Sequence, residues 1–280
     1  MIRSHSAELP GVLGAIALAV CLGAGATAGA AAQAPGATAA PTVGQVGKDV
    51  EWVPTPDDTA TKMLDLAQVR AGDTVIDLGS GDGKLVIAAA LRGAKGIGVE
   101  YEPDLVAVSI ERARQTGVAD RTTFIKADLF DVDLSQATVI TMFLLPDLNL
   151  KLRPKLLTLA PGTRIVSNTW DMEEWEPDAT VKLDCPQFCN SLLWIVPARA
   201  AGRWRADEGE LELTQTFQKL GGTVREGGRT LAVGDGRLRG DRFEFQVGDV
   251  RYAGRVIGTT LQGTRTPANG APAAWTARRP

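Results

Sequence analysis

The chain has 280 residues, of which 44% are hydrophobic and 22% are charged, and its formal net charge is -3. This length exceeds one typical domain, and the composition is that of a folded globular protein. The acidic balance disfavours nucleic acid as a partner. The single histidine, His5, lies near the start, which excludes histidine-dependent hydrolases and proteases and predicts no metal site. A cofactor that carries its own reactive group fits this chain best.

Residues 1–34 have the pattern of an export signal. Arg3 provides a positive start, Val12–Ala26 is apolar and small, and residues 32–34 read Ala-Gln-Ala, a typical cleavage site. We expect cleavage and an exported or periplasmic protein; the alternative is an uncleaved segment that anchors the chain in a membrane. If the leader is not used, the protein is cytosolic.

Three further regions follow the leader. Residues 35–47 mix Pro, Gly, Ala and Thr without periodicity, which predicts a flexible linker. From residue 48 to residue 200, strand-like runs alternate with helix-like segments, which predicts an α/β domain with a parallel sheet and helices on both faces. Residues 201–280 contain short alternating runs broken by glycines and predict a small antiparallel β domain, with Phe217, Phe243, Phe245 and Tyr252 facing its core.

The segment Val75–Lys84, VIDLGSGDGK, combines a buried strand, an acid and a glycine-rich turn before a helix. Glycines allow the backbone to turn sharply and approach a ligand, and the helix offers free N–H groups for a ligand carboxylate. The dinucleotide fingerprint G-x-G-x-x-G is a poorer fit, because Lys84 takes its last position and an acid precedes the first glycine. The candidate residues here are Asp77, Gly79, Gly81 and Gly83.

Two more acids follow the next strands. Glu100 ends the strand in GVEYEP, where a carboxylate accepts hydrogen bonds from ribose hydroxyls, and Asp128 in KADLF is placed to accept one from the exocyclic amine of an adenine. Acids and glycines at successive strand ends predict one ligand site at the carboxyl edge of the sheet.

With these motifs the chain resembles the class I S-adenosylmethionine-dependent methyltransferases, and more closely the small protein-lysine methyltransferases that include mitochondrial enzymes acting on the ADP/ATP carrier and the ATP synthase c subunit. The resemblance covers about residues 50–198. It implies a Rossmann-like sheet of seven strands with helices on both faces and S-adenosyl-L-methionine as cofactor. Lys84 stands where that family usually has Arg, and the leader and β-rich tail are not part of the mitochondrial enzymes. The matching segments are VPTP, the helix through MLDLAQV, DLGSGDGK, GVEYEPDLV, ADLFDVDL, TMFLLPDLNLKLRP and PGTRIVSNTWDMEEWEP.

The resemblance also implies roles for single residues. Asp77 and the glycines after it would hold the methionine part of the cofactor, Glu100 the ribose and Asp128 the adenine. Thr55 and Pro56 would close over the cofactor from the N-terminal side.

The acceptor would enter above the fourth strand, at Leu145–Asp147. The D/N-P-P-Y motif of enzymes that methylate adenine or glutamine is absent there, so a protein lysine is expected rather than a base. The apolar run Phe143–Pro146 would favour the neutral amine by lowering its pKa. Asp147 and Asn149 are the candidates for orienting that amine, and the alternative for Asp147 is a helix cap.

Several aromatic and cysteine residues remain open. Trp170, Trp175 and Trp194 form either an aromatic wall near the acceptor or part of the buried core. Cys185 and Cys189 would pair across a turn if the protein is exported, and would be free thiols in the cytosol.

Two alternatives to a protein-lysine methyltransferase are kept: a small-molecule N- or O-methyltransferase with the same cofactor site, and an exported binding module without turnover. The second arises because S-adenosylmethionine is made in the cytosol, which conflicts with a secretory leader. The intact set Asp77, Glu100 and Asp128 favours retained cofactor binding. The sequence does not define an oligomeric state.

Overall fold

A computed structural model of the protein describes residues 42–48 and 51–280. The predicted leader, its cleavage site and the first part of the predicted linker lie outside these residues. None of the helices formed by the described residues has both the length and the apolar character required to cross a membrane.

The first part of the fold is an open sheet. Strands β1 to β5 run parallel, and β7 is antiparallel to both β5 and β6. The all-parallel sheet expected from the alternating pattern is therefore corrected to a mixed one. The connection between β6 and β7, residues 183–189, is too short for the crossover of a dozen or more residues that a parallel pair requires. The strands are β1 (Thr74–Leu78), β2 (Lys95–Glu100), β3 (Thr122–Lys126), β4 (Val139–Met142), β5 (Arg164–Asn168), β6 (Ala179–Lys182) and β7 (Asn190–Ile195), in the sheet order β3-β2-β1-β4-β5-β7-β6.

Helices cover both faces of this sheet, as predicted. Successive strand residues point to opposite faces, so Val75 packs with α1 and α2 whereas its neighbour Ile76 packs with α4. The helix α3 lies beside α2, β2 and β3. It begins with Pro103 in its first turn, where a missing N–H costs nothing. The helices are α1 (Asp57–Leu66), α2 (Lys84–Leu91), α3 (Pro103–Gln115) and α4 (Pro146–Leu156), with a 3-10 turn at Ala119–Arg121.

Residues 202–278 form a closed antiparallel barrel, which confirms the predicted β domain. Inward and outward residues alternate, so that in β12 the apolar Phe243, Phe245 and Val247 are buried while the polar residues between them are exposed. Phe245 stacks on Tyr252 with ring centroids 5.0 Å apart. The strands are β8 (Gly202–Ala206), β9 (Gly209–Thr216), β10 (Lys219–Glu226), β11 (Arg229–Arg239), β12 (Arg242–Val247), β13 (Val250–Ile257), β14 (Thr260–Pro267) and β15 (Ala273–Arg278).

The barrel packs against residues 175–178 of the sheet domain, which precede β6. Phe217, which we expected inside the barrel, instead stacks on Trp175 of the sheet domain, with centroids 5.9 Å apart. Gln218 Nε2 donates to the Glu176 carbonyl at 2.7 Å, and Arg237 pairs with Asp178 at 2.8 Å. The two domains thus share a packed and hydrogen-bonded junction.

Candidate active site

A cavity of about 290 Å³ opens at the carboxyl ends of β1, β2 and β4. The sheet order changes direction between β1 and β4, and open α/β sheets bind ligands at such a crevice. The acids Asp77, Glu100 and Asp128 all line this cavity. The structure thus brings together the three acids that the sequence placed at successive strand ends.

The glycine-rich turn after β1 needs glycine for two reasons. Gly81 has φ +52°, and a Cβ there would lie 2.4 Å from Trp52 Nε1. Gly83 has φ +79°, and a Cβ there would lie 2.9 Å from the Phe124 ring. Side chains at either position would be strained and would collide with neighbours. Gly79 and Gly81 line the cavity, whereas Gly83 is the N-cap residue of α2.

Glu100 ties this turn to the end of β2. Its Oε2 accepts a hydrogen bond from Gly81 N at 2.8 Å, and its Oε1 accepts from Tyr101 N at 2.8 Å and Glu102 N at 3.0 Å. An ionised carboxylate has about four acceptor positions. Glu100 therefore fixes the shape of the turn and retains capacity for a ligand hydroxyl.

Asp77 is a buried carboxyl group beside the glycine-rich turn. Thr141 Oγ1 donates to its Oδ1 at 2.6 Å. Burial, reinforced by the charges of Glu100 and Asp82, raises the pKa of Asp77 to about 7, although the Thr141 hydrogen bond acts in the opposite direction. A ligand with a positive group would relieve this clustering of acids.

Asp128 already has partners for both oxygens. Phe130 N donates to its Oδ1 at 2.9 Å, and the Lys48 ammonium pairs with its Oδ2. That pairing holds the pKa of Asp128 below its usual range. Lys48 also lies 4.9 Å from the centre of the Tyr101 ring. Asp128 is thus an ionised acceptor at the cavity, and its contact with an adenine amine stays a prediction.

Residues 51–56, here named the N-terminal strap, cross one side of the cavity. Thr55 is buried and lines it, and its carbonyl accepts a hydrogen bond from Lys84 Nζ at 2.7 Å. Lys84 also pairs with Asp57 at 2.6 Å. The position of Thr55 agrees with the prediction that it covers the cofactor. Pro56, the N-cap residue of α1, does not line the cavity and only directs the chain into that helix.

The strap also contains a cavity residue that the sequence argument missed. Trp52 lines the cavity, and it exchanges backbone hydrogen bonds with Gly44 and Gln45, both at 2.9 Å. Residues 42–48, most of which fall in the predicted flexible linker, therefore form a hydrogen-bonded turn against the strap. The signal available in the sequence was a tryptophan directly before VPTP.

The far side of the cavity is apolar and is formed by three loops. Phe143 and Leu145 follow β4, Trp170 follows β5, and Phe188 precedes β7. The rings of Phe143 and Phe188 meet edge to face with centroids 5.0 Å apart. Phe188 was not predicted. Of the three candidate tryptophans, Trp170 lines the cavity, whereas Trp175 and Trp194 are fully buried in the core.

The two residues proposed to orient the acceptor lie elsewhere. Asp147 is exposed in the first turn of α4 and is not among the cavity residues; an acid there interacts favourably with the helix dipole. Asn149 is fully buried, and its Nδ2 donates to the carbonyls of Trp170 at 3.1 Å and Asp171 at 3.2 Å. We therefore correct the assignment of Asn149: it positions the loop that carries Trp170 rather than touching an acceptor.

The donors and charges of the cavity suit S-adenosylmethionine. Its positive sulfonium and ammonium groups match the acids around the glycine-rich turn, and its carboxylate matches the positive end of α2, where the N-cap residue Gly83 has no capping side chain. Ser80 Oγ is buried and has no hydrogen-bond partner among the described residues. Within those residues no cluster of metal-ligating side chains is present. Fold and site together define an S-adenosylmethionine-dependent methyltransferase.

Comparison with known proteins agrees with this class. Residues 77–179 match the model of the family described as ANTKMT methyltransferase domain. The chain is 40% identical over 138 residues to a protein-lysine N-methyltransferase of Saccharolobus islandicus, with 48% of this chain and 86% of that protein covered. It is 35% identical over 128 residues to a lysine N-methyltransferase of Xenopus laevis whose name gives the ATP synthase c subunit as its substrate, with 45% of this chain and 56% of that protein covered.

A solved structure supports the same class of enzyme. An RNA methyltransferase of Salinibacter ruber in complex with S-adenosyl-L-homocysteine is 46% identical, with a TM-score of 0.51 and coverage of 53% of this chain and 96% of that one. The chain belongs to the methyltransferase family that includes the Saccharolobus enzyme, and S-adenosylmethionine is its cofactor. The match to the Xenopus enzyme spans little more than half of that enzyme's length.

Proposed function

We propose that the protein transfers a methyl group from S-adenosylmethionine to the side-chain amine of a lysine on a protein. The observation that carries this proposal is the apolar side of the cavity, formed by Phe143, Leu145, Trp170 and Phe188. An apolar environment lowers the pKa of an amine and so increases the fraction of the neutral, nucleophilic form. The names of the Saccharolobus and Xenopus relatives support a lysine acceptor.

The protein has a limited chemical task in this reaction. S-adenosylmethionine supplies the methyl group on a positively charged sulfur, which is also the leaving group. The chain contributes alignment and exclusion of water. The glycine-rich turn and Glu100 would hold the cofactor, the N-terminal strap would exclude water from it, and the apolar loops would orient the acceptor amine toward the methyl group.

Labelling with the full-length protein tests the acceptor class. Purified protein is incubated with isotopically labelled S-adenosylmethionine and host extract, and the label is followed into protein, RNA and metabolites. We expect methyl-lysine in protein, located by mass spectrometry, and much less of it with Glu100→Ala at the same cofactor concentration. Label confined to RNA, the substrate class named for the Salinibacter relative, or to metabolites would overturn the lysine proposal and favour the corresponding alternative.

We also propose that the protein is exported and that cleavage follows Ala34. Together with the proposed reaction, this requires S-adenosylmethionine to reach the protein outside the cytosol. The pattern of residues 1–34 supports this, as does the bond between Cys185 and Cys189, because disulfides persist in oxidising compartments. N-terminal sequencing of the native protein should give Pro35 as the first residue, and the two cysteines should resist alkylation before reduction. Intact Met1 in a membrane fraction would instead establish an anchor, and free thiols in the cytosol would contradict export.

A further inference from the structure

The loop between β6 and β7, residues 183–189, contributes one side chain to the cavity. Phe188 lines the cavity at the same edge of the sheet as the loop that follows β4. Its ring meets the ring of Phe143 at 5.0 Å between centroids, with the planes inclined by 60°. Two loops that are distant in the sequence thus place aromatic rings side by side in the apolar wall of the cavity.

Two contacts hold Phe188 in this position, and its backbone conformation shows that its surroundings fix it. The disulfide between Cys185 and Cys189 closes the loop directly beside it. Thr59 Oγ1, near the start of α1, donates to the Phe188 carbonyl at 3.2 Å. Its φ of +57° is rare for a bulky residue and persists where the surroundings determine the backbone. The neighbouring Gln187 is exposed, so the loop directs one aromatic side chain into the cavity.

We propose that Phe188 is a specificity-determining residue of the acceptor site, which packs the aliphatic stem of the acceptor lysine against Phe143 and is held there by the Cys185–Cys189 disulfide. This inference rests on the proposed lysine acceptor. A lysine stem is an unbranched apolar chain of four carbons, and contact with two aromatic rings removes its surface from water. Residence of the amine among these rings also favours its neutral form.

A bisubstrate ligand tests this contact without knowledge of the natural substrate. The probe is an S-adenosylhomocysteine analogue in which nitrogen replaces sulfur and carries, through a two-carbon link, a secondary amine with a butyl chain. The amine and the four-carbon stem then follow in the same order as in an acceptor lysine. Calorimetry with the full-length protein compares it with S-adenosylhomocysteine. For the unmutated protein we expect the added chain to improve affinity. Phe188→Ala should weaken the analogue about tenfold and leave S-adenosylhomocysteine unchanged, and Phe188→Leu should recover part of the loss.

Two further variants complete the test. Gln187→Ala lies in the same loop but outside the cavity and should behave as the unmutated protein. Replacing Cys185 and Cys189 together by Ser should weaken the analogue several-fold while S-adenosylhomocysteine affinity stays constant, because the loop loses its closure.

The outcomes separate this inference from the proposed function. If the chain improves affinity but Phe188→Ala retains the whole improvement, the role of Phe188 is overturned and the lysine acceptor stands. If the chain gives no improvement in the unmutated protein, both fall. If the serine variant binds the analogue as tightly as the unmutated protein, positioning by the disulfide is overturned.

Discussion

The sheet domain buries many polar side chains, whereas the barrel interior buries almost none. Among the described residues, every buried polar or charged side chain belongs to the sheet domain and the segments around it except Gln218, which bonds across the junction. The barrel interior is aromatic and aliphatic, with Phe243, Phe245, Tyr252 and Trp275 packed together. Burying a carboxyl group opposes folding unless hydrogen bonds or a ligand compensate.

This difference separates two physical tasks. The sheet domain places Asp77 in a poorly solvated position beside the cofactor cavity, whereas three backbone N–H groups compensate the burial of Glu100. The barrel interior is filled by aromatic and aliphatic side chains, and no buried carboxyl group is found among its described residues. The comparison predicts that barrel substitutions change stability without changing cofactor binding. Substitutions at the buried acids should weaken cofactor binding, and at Asp77 they should also raise stability near neutral pH.

The largest effect is expected in the barrel core. Phe245 is fully buried and contacts three other rings, so Phe245→Ala should lower the free energy of unfolding by about 3–5 kcal/mol. Affinity for S-adenosylhomocysteine, measured by calorimetry at a temperature where the variant is folded, should not change. A parallel loss of affinity would show that the barrel shapes the cofactor site and would contradict the separation.

The next effect concerns Asp77 and pH. Its folded pKa of about 7 exceeds its ordinary value of 3.8, so the folded protein holds this proton more tightly than the unfolded chain. The stabilising contribution is complete below about pH 4 and is lost as pH rises through about 7. Asp77→Asn removes this loss, and its stability relative to the unmutated protein should rise by up to about 1.4 kcal/mol per pH unit in that window.

Chemical denaturation across pH 4 to pH 8 measures this difference. Asp249→Asn, an exposed change in a barrel turn, is the control for replacing a carboxyl group by an amide. Asp77→Asn should also bind S-adenosylhomocysteine more weakly. A flat difference across the window would mean that the Asp77 carboxyl group is not stabilised in its protonated form by folding.

Glu100→Ala should give a smaller change, directed at binding. The variant loses a carboxylate that accepts from Gly81 N and is expected to accept from the ribose, so affinity for S-adenosylhomocysteine should fall by about 1.5–3 kcal/mol. Glu244→Ala is the matched control, since Glu244 pairs with Arg251 on the barrel surface at 2.6 Å, and such pairs contribute little. Equal affinity in both variants would remove Glu100 from the cofactor site.

The acids and the glycine-rich turn could be predicted from the sequence because their positions follow from local rules. Asp77, Glu100 and Asp128 each lie at or just after the end of a short apolar run, and the carboxyl ends of parallel strands share one edge. The parallel arrangement of the strands could also be predicted from the sequence. The exception is β7, which the short β6–β7 connection makes antiparallel to its neighbours.

The remaining features depend on contacts between distant segments. Phe188 reaches Phe143 only after β7 pairs with β5, and no spacing in the sequence encodes that approach. Asn149 looked free to orient an acceptor, but the backbone after β5 uses its amide. Lys48 was placed next to the predicted linker, and its pairing with Asp128 requires the chain to cross the cavity.

The smallest effect is expected at Lys84, which joins the two sides of the cofactor cavity. Its ammonium bonds the Thr55 carbonyl and pairs with Asp57, so Lys84→Ala should free the N-terminal strap and lower affinity for S-adenosylhomocysteine by about 0.5–1.5 kcal/mol. Lys84→Arg preserves charge and donors and should retain most of the affinity. Lys95→Ala, an exposed change at the opposite end of β2, is the control. Equal affinity of Lys84→Ala and Lys95→Ala in calorimetry would show that cofactor binding does not depend on the contacts of Lys84 with the strap. If Lys84→Arg binds as weakly as Lys84→Ala, the compact ammonium itself is required. The planar guanidinium would then fail to contact the Thr55 carbonyl and the Asp57 carboxylate together.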